Sequence, residues 1–145
     1  MKLMIINGPN LNFTGIREKE VYGTKSYKQI VDYLKEYGKK CHIKLDAFQS
    51  NSEGKIIDLI QKAYLKKYDG IIINPGAYTH YSYAIRDAIK SVDINTCEVH
   101  LSNIYEREEF RKVSVISDVC LKTFFGKKEQ SYIDAIDYLL ALSIS

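Results

Sequence analysis

Short apolar runs recur along this chain of 145 residues, and the stretches between them carry apolar residues at helical spacing. Residues 3–6 and 70–73 are apolar throughout, which is typical of strands buried on both faces of a parallel sheet. Three further runs predict strands over residues 42–48, 96–99 and 113–119. The pattern therefore predicts five strands separated by helices.

Capping residues indicate where two of these helices begin. Ser26 with Gln29 forms a capping-box pattern, and the helix that follows is expected to end at Gly38. Ser50 with Glu53 forms a second capping box. The inward face of that second helix is expected to consist of Ile56, Ile60, Ala63 and Tyr64.

Two more helices complete the pattern. Thr79 is a suitable cap for a helix that runs to about Lys90, and residues 131–142 form an amphipathic stretch. Alternation of strands and helices predicts an α/β fold, a flavodoxin-like doubly wound five-stranded parallel sheet with helices on both faces. The length fits one domain, so we expect residues 1–145 to fold as a single unit.

Amide side chains follow most of the predicted strands. In doubly wound sheets, ligands bind beyond the carboxyl ends of the strands. Polar and mostly neutral strand ends favour a hydroxylated small molecule over a metal ion. The residues at these ends are Asn7-Gly8-Pro9-Asn10, Gln49-Ser50-Asn51, Asn74-Pro75-Gly76 and His100-Leu101-Ser102.

The connection over residues 8–24 is long for an α/β unit, and long loops in compact domains are often functional. Gly8, Gly15 and Gly23 lie where the hinges of a mobile segment would be. We therefore expect residues 8–24 to form a lid over the strand ends.

The segment over residues 97–111 combines several groups that bind anions. His100 follows a strand, and Asn103 with Glu106 fits a capping box that opens a short helix. Arg107 and Arg111 lie four residues apart, on one face of that helix. Helix N–H groups and arginines bind carboxylates, so this segment predicts an anion site beside a proton donor. The alternative is a surface ion-pair cluster with Glu106, Glu108 and Glu109.

Composition narrows the classes of partner. A formal net charge of +3 with scattered lysines is too mild to indicate nucleic-acid binding. No apolar run approaches the length of a membrane span, and residues 1–6 do not have the pattern of a secretory signal. Three cysteines without a C-x-x-C spacing favour free thiols in a reducing compartment. We expect a cytoplasmic protein with no nucleic-acid or membrane partner.

Four ordered motifs, taken together, resemble the type II 3-dehydroquinate dehydratases, also called type II dehydroquinases. The resemblance covers nearly the whole chain and rests on NGPNLN from Asn7, an R-x-x-x-x-Y-G loop from Arg17, NPGAYTH from Asn74, and EVHLSN from Glu98 with the arginines that follow. It implies a single catalytic domain that removes water from 3-dehydroquinate by anti elimination, through an enolate, without a cofactor. The product would be 3-dehydroshikimate, an intermediate of the shikimate pathway.

The resemblance also implies roles for individual residues. Tyr22 would remove the C2 proton, Arg17 would stabilise the tyrosinate, and His100 would protonate the departing hydroxyl. Glu98 would orient His100, and Asn10 would hold the water that stabilises the enolate oxygen. The implied substrate contacts are Asn74, His80, Arg107, Arg111 and the backbone of Leu101 and Ser102. Asp87 would contact substrate across a subunit boundary, in a homododecamer built as a tetramer of trimers.

Elementary electrostatics sets a condition on this mechanism. A free tyrosine titrates near pH 10, so a tyrosine that acts as a base at pH 7 requires cations gathered around its oxygen. Closing a loop that carries Arg17 and Tyr22 over Arg107 and Arg111 would bring such cations together and exclude water. The histidine His80, expected at a helix N-terminus, would then be neutral and bonded to a ligand hydroxyl.

Several alternatives remain open at this point. A flavin or nucleotide module of the same fold would need a phosphate-cradling loop after the first strand, where this chain has Pro9 without an N–H. A receiver-like regulatory domain would need clustered acidic residues where this chain has amides. Tyr22 could be a packed or surface aromatic residue, and Arg17 a solvated charge of the loop. Asn10 and Asn74 could be turn residues. Asp87 could be a surface carboxylate paired with Arg86 or Lys90.

The chain departs from the family pattern in three places. Ser52 and Lys112-Val113 replace histidines, and the second replacement leaves the wall behind Arg111 undetermined. The glycine-rich turn near the C-terminus is Phe125-Gly126-Lys127-Lys128, which is more charged and is expected to alter subunit contacts.

Overall fold

The computed structural model describes residues 1–144, and a five-stranded parallel sheet is its central layer. The spatial order of the strands is β2-β1-β3-β4-β5, which is the flavodoxin-like order. This confirms the predicted fold class. The strands are β1 (Lys2–Asn7), β2 (Lys44–Gln49), β3 (Gly70–Asn74), β4 (Thr96–His100) and β5 (Lys122–Phe125).

Helices cover both faces of the sheet. The central strand β1 is apolar on both sides, so each of its faces is buried under a layer of helices. Leu3 and Ile5 point into one core, and Met4 and Ile6 point into the other. The first core contains residues of α2 (Tyr27–Lys40) and α5 (Gln130–Ser143), and the second contains residues of α3 (Glu53–Leu65) and α4 (Tyr83–Val92). A four-residue helix, α1 (Lys19–Tyr22), precedes α2.

The first capping box is present, but the predicted end of α2 is wrong. Ser26 accepts a hydrogen bond from the Gln29 N–H, and the Gln29 side chain bonds back to Ser26. The helix continues through Gly38 to Lys40. A Cβ at Gly38 would lie 3.3 Å from both the Ile43 oxygen and the Leu45 Cβ, so this glycine permits close packing instead of ending the helix.

The start of α3 also differs from the prediction. Ser52, not Ser50, is the N-cap, and its hydroxyl accepts from the Lys55 N–H at 3.3 Å. The Ser50 hydroxyl instead accepts from the Ser52 N–H, because β2 extends to Gln49 and leaves a short turn before the helix. The predicted inward face is confirmed for Ile56, Ile60 and Ala63, which are buried. The prediction is wrong for Tyr64, which is 60% exposed.

Thr79 does not cap α4. Residues Gly76–His80 form a 3₁₀ turn, and α4 begins at Tyr83 with Ser82 as its cap. The Ser82 hydroxyl accepts from the Ile85 N–H at 3.1 Å, while the Thr79 side chain is fully buried. The apolar stripe of α4 starts only after Ser82, at Ile85, so the amphipathic pattern fits the later cap.

The fifth strand lies later than predicted, at Lys122–Phe125. Residues 113–119 form a loop that ends in a 3₁₀ turn at Ser117–Val119. Tertiary contacts explain why these β-branched residues do not form a strand. Ile116 is fully buried in the second core, and the side chains of Ser114 and Ser117 turn inward to bond Glu98.

The connection over residues 8–24 has structure of its own. It contains a 3₁₀ turn at Leu11–Phe13, a bridge between Thr14 and Arg17, and α1. Gly15 and Gly23 have φ angles of 92° and 95°, a region that favours glycine. Within residues 1–144, no helix combines the length and the apolar character needed to cross a membrane.

Candidate active site

The predicted site residues meet at the carboxyl ends of the parallel strands. β1 and β3 end side by side, with Asn7 opposite Asn74, and β4 ends at His100. A cavity of about 110 Å³ opens there. Of the predicted site residues, all except Glu98 and Asp87 line it, namely Asn10, Arg17, Tyr22, Asn74, His80, His100, Leu101, Ser102, Arg107 and Arg111.

The segment after β4 reaches the cavity without the predicted helix. It forms two separate 3₁₀ turns, Ile104–Glu106 and Glu109–Lys112, and Arg107 has an extended conformation between them. Asn103 does cap the first turn, because its side-chain oxygen accepts from the Tyr105 N–H at 3.0 Å. Arg107 and Arg111 therefore line the same cavity because the loop bends, and not because they lie on one face of a helix.

Arg107 and Arg111 have different partners. Arg111 donates to Glu108 at 2.5 Å, so the ion-pair alternative describes this arginine. Arg107 forms no ion pair among the described residues, and its Nη1 donates to the Tyr22 hydroxyl oxygen at 2.7 Å. A half-buried guanidinium without a carboxylate partner leaves positive charge in the cavity.

Tyr22 lies between two guanidinium groups. Its hydroxyl oxygen also accepts from Arg17 Nη2 at 3.2 Å. The same nitrogen of Arg17 donates to the carboxylate of Glu18 at 2.9 Å. The guanidinium carbons of Arg17 and Arg107 lie 4.3 Å and 5.1 Å from the centre of the Tyr22 ring. Tyr22 is the last residue of α1 and is buried, so the position of α1 decides where this hydroxyl lies.

His100 is paired with a buried carboxylate. Its Nε2 lies 2.5 Å from the Glu98 Oε2, and Glu98 is fully buried at the centre of β4. Burial alone would raise the pKa of Glu98, but hydrogen bonds from His100 and from the hydroxyls of Ser117 and Ser114 outweigh burial and hold this pKa below its usual value. Glu98 is therefore an anion at neutral pH and orients the imidazole.

His80 lies at the end of the 3₁₀ turn Gly76–His80, not at a helix N-terminus as predicted. Its Nδ1 lies 2.7 Å from the carbonyl oxygen of Val113, so Nδ1 carries the proton that is donated. Burial lowers the pKa of His80, and the nearby charges of His100, Arg111 and Arg107 lower it further. The ring is therefore neutral at pH 7.

Two asparagines contribute amide groups to the cavity. Asn10 has a φ angle of 68°, and its N–H donates to the side-chain oxygen of Asn51 at 3.1 Å. Asn74 accepts from the Gly76 N–H at 3.2 Å and donates to the Tyr132 hydroxyl at 3.1 Å. Both residues therefore shape their turns, as the structural alternative predicts, and both also face the cavity.

Asp87 does not reach this cavity. It is an exposed residue of α4, which begins after His80. The sequence predicts one helix that contains both His80 and Asp87, and this prediction is wrong. Its neighbour Arg86 bonds Asp118 and the Val115 carbonyl. The charge of Asp87 acts on Arg86 at longer range.

Sequence reasoning missed the residues that support the site from behind. The Tyr132 hydroxyl bonds both Asn74 and Asn7, and thereby ties the ends of β1 and β3 to α5. Ser114, Ser117 and Thr123 donate to Glu98. Tyr132 could have been found from the sequence, because it is a polar aromatic residue among the apolar residues of α5. The serine contacts leave no such signal, because they depend on long-range packing.

No group of three or more His, Cys, Asp or Glu side chains is placed to hold a metal ion in the described part of the chain. The groups that the cavity offers are guanidinium, imidazole, phenol and amide. These groups can bind an anionic small molecule and move protons.

A flavodoxin-like sheet whose carboxyl edge carries a tyrosine between two arginines and a His–Glu pair has the groups of an enzyme that acts on a small anionic molecule. The chain belongs to the class II dehydroquinase family, whose family model, described as dehydroquinase class II, matches residues 1–140.

Individual relatives support this assignment along nearly the whole chain. The chain is 60% identical to a 3-dehydroquinate dehydratase of Clostridium perfringens over 139 residues, which cover 96% of this chain and 95% of the relative. It superimposes with a TM-score of 0.95 on the type II dehydroquinase of Butyrivibrio crossotus, at 56% identity and with 96% and 97% of the two chains covered. For the type II dehydroquinase of Propionibacterium acnes the TM-score is 0.92 at 36% identity, with 95% and 94% covered.

Proposed function

We propose that this chain dehydrates 3-dehydroquinate to 3-dehydroshikimate by anti elimination through an enolate, as the lyase of the shikimate pathway that leads to chorismate and the aromatic amino acids. The dehydratase reaction follows from the family and from relatives that are 60% identical. The route is supported above all by one observation, the Tyr22 hydroxyl held by Arg17 and Arg107 in the same cavity as the His100–Glu98 pair.

Tyr22 is the base in this proposal. Two guanidinium groups donate to its oxygen, and hydrogen bonds from cations are the strong ones to an oxygen acceptor. The tyrosinate oxygen takes the C2 proton of the substrate, and the C–H electrons pass into an enolate at the neighbouring carbonyl. Asn10 lines the same cavity and would hold the water that hydrogen-bonds the enolate oxygen.

His100 is the acid that completes the elimination. When the enolate reforms its carbonyl, the C1–O bond breaks, and the departing hydroxyl takes a proton from the imidazole and leaves as water. Glu98 is an anion bonded to Nε2, so it fixes the orientation of the ring during the transfer. Tyr22 returns its proton to solvent and His100 regains one, which closes the cycle.

The remaining lining residues hold the substrate. Arg111 and Arg107 supply positive charge for the carboxylate of 3-dehydroquinate. The neutral His80 and Asn74 suit its ring hydroxyls, and the backbone of Leu101 and Ser102 lies along the cavity wall. No cofactor enters the scheme, because proton transfers and elimination of water need no redox or group carrier.

Residues 8–24 serve as a lid in this proposal. The segment carries both Arg17 and Tyr22, so the base is assembled only when the segment lies against the loop after β4. Water is excluded at the same time, which strengthens the attraction between the tyrosinate and the guanidiniums.

The assembly is a homododecamer, a tetramer of trimers, in which Asp87 contacts the substrate of a neighbouring subunit. The exposed surface of α4 supports this placement, because Tyr83 and Asp87 lie four residues apart on one helix face and Tyr83 is 66% exposed. The enzyme works in the cytoplasm, without a nucleic-acid or membrane partner. Light scattering on the purified chain tests the assembly directly.

The direct test of function is enzymatic. The purified chain is mixed with 3-dehydroquinate after extensive treatment with a chelator, and the absorbance of the conjugated enone product is followed in the ultraviolet. Turnover is expected without added cofactor. Borohydride added with substrate should leave no covalent adduct by mass spectrometry, because no lysine imine is formed. Absence of turnover, or a trapped adduct, would contradict the proposal.

A further inference from the structure

The turn after β5 contacts both walls of the active site. Its backbone holds one wall, because the Gly126 N–H donates to the Ser102 carbonyl at 3.1 Å and the Lys128 N–H donates to the Leu101 carbonyl at 3.0 Å. Leu101 and Ser102 are buried and line the cavity. The turn therefore has a fixed position relative to the substrate-facing backbone.

The side chain of Lys128 reaches the opposite wall. Its ammonium donates to the carbonyl of Val21 at 2.9 Å and to that of Glu20 at 3.3 Å. These carbonyls lie in the last turn of α1, where a helix leaves carbonyl groups without partners and where a cation is favoured. A helix of four residues has little stability of its own, so it depends on such contacts.

Two further contacts support the same connection. The stem of Lys128 packs beside Gly23, where a Cβ would lie 3.5 Å from the Lys128 Cδ. Just beyond Gly23, the ammonium of Lys25 forms an ion pair with Glu129 at 2.7 Å. Tyr22 is thus the last residue of a helix that is held at two points. Lys128 bonds the carbonyls of the helix, and Glu129 bonds the segment that follows it.

We propose that Lys128 is a positioning residue of this enzyme, which holds α1 on the active site so that the Tyr22 hydroxyl stays within reach of Arg17 and Arg107. The inference rests on the proposed role of Tyr22 as the base. It adds a residue that never contacts the substrate and acts through the backbone of Glu20 and Val21.

The backbone conformation of Lys128 makes the test selective. Its φ angle is 54°, in the left-handed region, where glycine is favoured over lysine. Lys128→Gly therefore relieves the backbone and removes the ammonium. Lys128→Met keeps most of the stem beside Gly23 and removes only the charge. Neither change is expected to unfold the chain, and thermal melting of both variants checks this.

The first measurement is steady-state kinetics with 3-dehydroquinate. We expect Lys128→Met and Lys128→Gly each to lower kcat roughly ten-fold while KM changes about two-fold or less, because a displaced base affects the transition state more than binding. Lys128→Arg should restore most of kcat, since its guanidinium can reach the same carbonyls. Lys127→Met is the matched control, because Lys127 pairs with Asp134 at 3.5 Å and is expected to keep wild-type kinetics.

The second measurement does not depend on activity. Trypsin is added without substrate, and mass spectrometry follows only cleavage after Arg17, Lys19 and Lys25. Cleavage should be several times faster in Lys128→Met and Lys128→Gly than in wild type and Lys127→Met. If both kcat and cleavage rates of these variants match wild type, the inference is overturned. If the wild-type chain has no dehydratase activity, the proposed function fails, while the cleavage rates still decide whether Lys128 holds α1.

Discussion

The hydroxyl oxygen of Tyr22 lies 2.7 Å from Nη1 of Arg107, a residue 85 positions later in the chain. This one hydrogen bond joins the segment over residues 8–24 to the loop that follows β4. In the proposed mechanism neither side would be catalytic alone, because a solvated tyrosine is a phenol and a solvated guanidinium is screened by water. The site is therefore assembled by the packing of two loops onto the ends of β1 and β4.

Replacing the phenol by a benzene ring tests the base directly. Tyr22→Phe should lower kcat by about 10²–10⁴-fold, the usual contribution of a general base. KM should change little, because the ring keeps its contacts with the guanidiniums of Arg17 and Arg107. The measurement is the initial rate of enone formation at saturating 3-dehydroquinate.

The control for this variant is Tyr81→Phe. Tyr81 is 59% exposed, lies outside the cavity, and its ring contacts Tyr78 edge to face. Removing its hydroxyl should leave kcat and KM at wild-type values. Near-normal turnover by Tyr22→Phe would show that another group removes the proton.

Substitutions at Arg111 and Glu108 should change KM in opposite directions. Arg111→Met removes a cation from the cavity and should raise KM roughly ten-fold or more, the loss typical of a hydrogen bond between charged groups. Glu108→Gln weakens the 2.5 Å ion pair that competes with the substrate carboxylate for Arg111, so it should lower KM modestly. In both variants kcat should stay near wild type.

Lys112→Met is the matched control for this pair. Lys112 forms the same kind of ion pair with Glu109, three residues earlier in the same turn, at 2.8 Å. Equal changes in KM for Lys112→Met and Arg111→Met would mean that only the net charge of the loop matters, and would contradict a specific carboxylate contact for Arg111.

The sequence predicts the fold and most of the site because those features depend on local pattern. Apolar runs at residues 3–6 and 70–73 form buried central strands, and the strand ends bring Asn10, Asn74 and His100 to one edge. That edge is a property of parallel topology, so it follows once the strands are assigned.

The errors arise where tertiary contacts override local pattern. Residues 113–119 have strand-like composition, but Ile116 fills the second core and the serines bond Glu98. The true β5, Lys122–Phe125, is a half-exposed edge strand with a weak apolar signal. Lys128 could not be found from sequence, since its bonds to Glu20 and Val21 span more than a hundred residues.

The pH dependence of stability tests the buried carboxylate of Glu98. Its pKa in the folded protein lies below the ordinary value of 4.5, so folding favours the anion. The resulting stabilisation is complete above about pH 4.5 and is lost as the pH falls through the lower folded pKa. Glu98→Gln removes this effect, so its melting temperature should be lower than that of wild type near pH 7, and the difference should shrink below pH 4.5.

The same variant tests the orientation of His100. Without the carboxylate beside Nε2, the imidazole loses the contact that orients it, and kcat should fall roughly 10²-fold. Glu106→Gln, an exposed carboxylate on the loop after β4, serves as control and should change neither kcat nor the pH profile of melting. A difference in melting temperature that stays constant from pH 7 to pH 3 would mean that Glu98 is not ionised in the folded protein.

Mixing two defective variants tests whether Asp87 acts across a subunit boundary. Asp87→Ala should raise KM several-fold, because a neighbouring site loses a polar contact, although Asp87 does not line its own cavity. When Asp87→Ala and Tyr22→Phe subunits are co-expressed in equal amounts, about a quarter of the sites should combine an intact Tyr22 with an intact Asp87 from the neighbour. Those sites should appear as a component that combines wild-type kcat with wild-type KM, a combination that neither variant shows alone. If the co-expressed sample shows only the raised KM, then Asp87 acts within its own subunit or on stability alone, and melting of Asp87→Ala separates these two outcomes.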